Sequence, residues 1–115
     1  MNTATVLQFI QTTRASASIF SLSGAIESFG CLDAVAGMAM ASDKNNIIIV
    51  LGNVDYINSV GFGSLIQFSD RITESNKQLF IVGLQSKVHL VFTALGAHSV
   101  LNVLPKLEDA LARIR

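Results

Sequence analysis

The chain has little charge and almost no cysteine. Only 14% of its 115 residues are Asp, Glu, Lys or Arg, eight basic against eight acidic, and neither sign gathers into a block. A nucleic-acid surface shows itself as a basic stripe, so nucleic acid is not an expected partner. Cys31 is the only cysteine, which excludes an intrachain disulfide and a cysteine-built zinc site. No basic region precedes an apolar one at Met1 to Thr5; no signal peptide is expected, and a soluble cytoplasmic protein is. Val88 to Pro105 carries no Asp, Glu, Lys or Arg, yet polar residues, Gly96 and Pro105 interrupt it. That stretch reads as a helix, a turn and a strand, not as a membrane span.

Catalytic and cofactor motifs are missing as well. Gly61-Phe62-Gly63 follows a strand, but a dinucleotide fingerprint needs a third glycine where Ile66 stands, and the lysine of a phosphate loop is absent. Phe62 and Ile66 flank Gly63-Ser64-Leu65 and break the nucleophile-elbow pattern. The two histidines, His89 and His98, fall on the outer side of a helix and in a turn, where surface roles outnumber ligand roles. No catalytic residue, metal or cofactor is therefore expected.

What the chain does have is apolar mass. Half of its residues are hydrophobic, enough for a real core in one domain spanning residues 1–115. Val6 to Gln11 and Ala17 to Ser23 read as strands, with Gly24 ending the second. Phe29 to Ala41 reads as a helix with Leu32, Val35, Ala36 and Ala39 inward, one of Met38 and Met40 in the core, and Cys31 as a small filler. The β-branched run Ile47 to Leu51 predicts a strand covered on both faces. A helix over Gly61–Ser75 follows, its outer face carrying Gln67, Asp70, Arg71 and Glu74. Gln78 to Leu84 is a further strand. Ser86 is expected to cap a third helix that Gly96 ends. A short strand at Val100 to Leu104 and a helix at Leu107 to Ile114 close the chain. The order β-β-α-β-α-β-α-β-α implies an α/β fold with right-handed crossovers and a mostly parallel sheet.

Asn58-Ser59-Val60-Gly61 is the most informative stretch. It places a hydroxyl where a buried strand turns into a helix. Helix N-termini carry unpaired N–H groups and a positive dipole end, so they hold anions, and a phosphate on Ser59 is such an anion. Ser59 also suits a plain capping role, its hydroxyl accepting from the N–H of Gly61 or Phe62.

The chain resembles the STAS domain, the fold of bacterial anti-sigma factor antagonists and of a segment of sulfate transporters. The resemblance spans nearly the whole chain. It rests on the element order, on Leu22-Ser23-Gly24, on Val54 through Gly63, on Leu79 through Leu84, and on the tail from Leu95-Gly96 to Leu111. The family's middle stretch reads apolar, Asp, Ser, Ser or Thr, Gly, Leu, Gly, and its first Ser is phosphorylated by a partner kinase. Ser59 occupies that position, and Gly61 and Gly63 match the glycines. Asn58 stands for the family's Asp and Val60 for its hydroxyl residue.

The resemblance implies partner switching. The unphosphorylated protein binds an ATP-binding anti-sigma factor serine kinase and frees a sigma factor; phosphorylation of Ser59 releases the kinase, and a phosphatase is a further candidate partner. Asp55, Tyr56, Asn58, Ser59, Val60, Gly61, Gly63, Gln67, Asp70, Arg71 and Glu74 are the implied contact residues. The alternative is a STAS scaffold or accessory subunit of a signalling complex or membrane transporter that never cycles phosphate. An enzyme or nucleotide-binding protein ranks last. A monomer or weak homodimer is expected, with no insertion into membrane.

Overall fold

Ile47, Ile48 and Ile49 are all fully buried, which a strand achieves only in the middle of a sheet covered on both sides. The computed structural model, which describes residues 7–114, shows how. Five strands line up in chain order: β1 (Gln8–Arg14), β2 (Ala17–Ile26), β3 (Asn46–Ile57), β4 (Gln78–Val82) and β5 (Val103–Leu104). β1 pairs antiparallel with β2, and all later neighbours are parallel. The helices between them are α1 (Asp33–Ala41), α2 (Ser59–Glu74) and α3 (Ser86–Ala94), with a 3₁₀ turn at Ala97–Ser99 and a last helix α4 (Leu107–Arg113). Among the described residues no helix is long and apolar enough to cross a membrane.

Register separates the two faces. Phe20, Ile49 and Ile81 sit side by side across the three central strands, and so do Ile19, Ile48 and Phe80. The first row packs with Val35 and Ala39 of α1, Leu65 and Phe68 of α2, and Val88 and Phe92 of α3. The second row packs with Ala110, Leu107 and Leu111 of α4. Because side chains alternate along a strand, one register serves both layers.

Several boundaries depart from the sequence reading. Val6 lies outside the described residues, and β1 begins at Gln8. Gly24 does not end β2. It takes φ +111°, and the β2–β3 pairing shifts register there and just before it, so both strands continue to Ile26 and Ile57. Each shift sets an extra β3 residue against β2, the mark of a bulge, which bends and twists the strand without ending it. α1 starts four residues later than Phe29, because Gly30 at φ +74° turns the chain first. Met38 and Met40 are both exposed, so neither fills the core. Gln85, not Ser86, is the cap position of α3, and no side chain caps it. β5 keeps only two of its five expected residues, since the 3₁₀ turn takes up the chain before it. Gly96 ends α3 as expected, in the left-handed region at φ +69°.

Candidate functional site

Parallel β2 and β3 end side by side, at Ile26 opposite Ile57. The loop leaving β2 and the helix leaving β3 are therefore neighbours, and the candidate site forms between them. Asn58, in extended conformation, is the cap of α2: its Oδ1 accepts a 2.8 Å hydrogen bond from the Gly61 N–H. Its carbonyl accepts from the Phe62 N–H, and its own N–H donates to the Ile26 carbonyl.

The capping role read for Ser59 thus belongs to its neighbour. Ser59 is the first helical residue and is exposed. No group among the described residues hydrogen-bonds its hydroxyl, and the N–H groups of Ser59 and Val60 have no acceptor. Two unpaired donors and the positive end of α2 therefore surround a free hydroxyl, with no acidic side chain in the first turn. His89 and His98 lie together at another cleft, which Ser59 does not line.

The glycines of the motif divide their labour. A Cβ on Gly61 would land inside the Ile26 carbonyl and 2.8 Å from the Glu27 nitrogen. Only a residue without a side chain lets the β2–α1 loop press against the first turn of α2. Gly61 is buried there and adds no exposed surface. Ser64 ties the same loop a turn later, its hydroxyl donating to the Ser28 carbonyl at 3.0 Å. Phe62 meets Phe92 of α3 edge-on at 5.6 Å, which fixes the helix from its other side. Gly63 differs: it is exposed and nothing lies within 4 Å of a Cβ built on it.

The remaining expected residues lie at the end of β3 and along α2. Asp55 and Tyr56 are exposed at the end of β3, and Val60, Gly63, Gln67, Asp70 and Glu74 follow one another along the exposed side of α2. Arg71 reaches Asp33 of α1 at 3.4 Å, an open ion pair of little energetic weight. Phe29 is the residue the sequence reading missed. The helical pattern had absorbed it into α1, whereas it stands in the β2–α1 loop, 76% exposed. Its signal was the adjacent Gly30, a turn residue. Tyr56 and Val60, close to Ser59 in the chain, are half-exposed as well.

A family model for the STAS domain matches residues 8–110. The chain belongs to the STAS domain family. Its fold is that of an anti-sigma factor antagonist from Mycobacterium paratuberculosis, with a TM-score of 0.80 at 21% identity over 95% of this chain and 94% of that one. It is also similar to the phosphorylated form of the Bacillus cell fate determinant SpoIIAA, with a TM-score of 0.65 at 15% identity over 94% of this chain and all of that one. A sulfate transporter family protein from Wolinella succinogenes gives 0.73 at 19% identity over 88% and 86% of the two chains. No curated protein matches the sequence with significance.

Proposed function

We propose that this STAS domain is a non-enzymatic anti-sigma factor antagonist that switches partners through Ser59. The observation that supports this most is the division of roles at the start of α2. Asn58 does the capping, so the Ser59 hydroxyl is free and exposed beside two unpaired N–H groups. A partner kinase transfers the γ-phosphoryl group of ATP to Ser59 Oγ; the hydroxyl proton leaves to the kinase and ADP is the product. The product carries about 1.5 to 2 negative charges. It rests on the helix end without altering the fold. A partner seated on Phe29, Tyr56, Val60 and the outer side of α2 meets that charge across an apolar contact, where desolvating it is costly. Affinity falls and the partner leaves. The similarity to a protein solved in its phosphorylated form is consistent with this reading.

A second reading rests on Asn58. Asn caps a helix as well as Asp does but removes one charge next to the acceptor. If the kinase reads that charge, the domain holds its partner without cycling, as a scaffold or as an accessory subunit of a cytoplasmic signalling complex or a transporter. The test is affinity of two variants for the ATP-binding protein recovered with the tagged chain in Mg-ADP. Ser59→Ala is expected to bind like the native chain, and Ser59→Asp at least about tenfold more weakly, roughly 1.4 kcal/mol. Equal affinities would overturn the switch and leave the scaffold reading.

A further inference from the structure

α3 and the turn after it bring the two histidines of the chain together. His89 lies on the exposed side of α3 and His98 in the 3₁₀ turn that Gly96 opens. Their ring centroids are 5.3 Å apart with planes at 63°. None of the four ring nitrogens is hydrogen-bonded to a described residue. Both rings line an open cleft of about 660 Å³ with Ser86, Leu90 and Leu104, room enough for an ion and an incoming side chain.

Two imidazoles on one tetrahedral cation, with metal–nitrogen bonds of about 2.0–2.1 Å, hold their ring centres about 5 Å apart. The observed centroid separation of 5.3 Å matches that spacing, so a rotation of the exposed rings is all that a shared cation asks of them. An edge-to-face ring contact has the same spacing, but it leaves all four nitrogens unused. Within one chain the donor set stops at two: no group of three or more His, Cys, Asp or Glu converges among the described residues. Most of the cleft lining is apolar, with Lys87 and Lys106 exposed next to the lining residues Ser86 and Pro105. Leu90 and Val100 are more than half exposed, and no Asp, Glu, Lys or Arg occurs from Val88 to Pro105.

We propose that His89 and His98 are half of a tetrahedral site for a divalent cation of the zinc class, and that a second copy of this chain supplies the other half. A two-fold axis through the ion brings the same two imidazoles from each copy to one centre. It also sets the exposed apolar residues of one copy against those of the other, with Leu90 and Val100 at the contact. Among the described residues neither ring has an acceptor behind it, so the site is labile and the pairing reversible.

The experiment is a zinc chloride titration of the untagged full chain at neutral pH, followed by sedimentation velocity and calorimetry. One cation per two chains is expected, with a doubling of mass that a chelator reverses. His89→Ala and His98→Ala, both exposed and without structural hydrogen bonds, are each expected to weaken the effect tenfold or more at unchanged melting temperature. A cation bound by the lone chain without change of mass, no binding at excess zinc, or doubling that survives both histidine variants would each overturn the proposal. None of these readouts involves Ser59.

Discussion

Ser59 and Asn58 are adjacent, and both are residues that cap helices well, yet the structure gives them different work. That difference predicts opposite stability effects. Asn58→Ala removes the Oδ1 acceptor of the Gly61 N–H and is expected to cost about 1 kcal/mol. Ser59→Ala removes a hydroxyl that bonds no described residue and is expected to stay within about 0.5 kcal/mol of the native chain. Denaturant melts of the two variants measure both. The two glycines give a second contrast. Gly61→Ala forces a methyl into the Ile26 carbonyl and is expected to destabilise by about 2–4 kcal/mol, in the range of severe overpacking. Gly63→Ala meets open space and is expected to stabilise the helix by up to about 1 kcal/mol. Under partner switching the same methyl weakens the partner complex, so Gly63→Ala separates folding from binding in one variant. The motif was legible in the sequence as a motif. Which residue capped was not, because that turns on whether the strand ends at Ile57 or one residue later, a matter of pairing with β2.

At the level of elements, the long reach of β3 is what presents the site. The apolar run suggested a strand of five residues, whereas β3 has twelve. Its second half, Gly52 to Ile57, pairs with β2 alone, since β4 reaches no further than Val82. A half-exposed strand with two register shifts carries no clean alternation, which is why the sequence reading stopped at Leu51. Gly24 sits at one of those shifts with φ +111°. Gly24→Val is expected to cost about 1–3 kcal/mol through backbone strain alone, measured as a drop in the denaturation midpoint. The β2–α1 loop was misread for a related reason: its apolar residues extend the helical pattern of α1 backwards. Phe29 faces solvent there, so Phe29→Ala is expected to leave the melting temperature unchanged while weakening partner binding about tenfold, as loss of an aromatic anchor does. Unchanged affinity on calorimetric titration would remove Phe29 from the surface.

On the scale of the whole molecule, the sheet and its two apolar layers make the site a fixed surface. The order of elements along the chain and the α/β class followed from sequence because Ile47–Ile49 and Leu79–Val82 are buried on both faces and because helices separate the later strands; the order of strands within the sheet came from the structure. The surface did not follow, since Phe29 comes after the end of β2 and Tyr56 and Val60 lie at the end of β3, and only the pairing of those two strand ends relates them. The α1–α3 layer holds α2 by Leu65, Phe68 and Ile72, all fully buried. In the proposed switch, a phosphate at Ser59 changes charge at the end of that helix and meets none of the packing positions of these three buried side chains. Affinity, not fold, is therefore where the switch must appear. The most direct measurement is calorimetric binding of the chain to its ATP-binding partner before and after phosphorylation, with the phosphoryl group located by fragment mass spectrometry. The account predicts modification at Ser59 and affinity lower by tenfold or more. A chain that accepts no phosphate at Ser59, or binds equally well with it, would contradict the account.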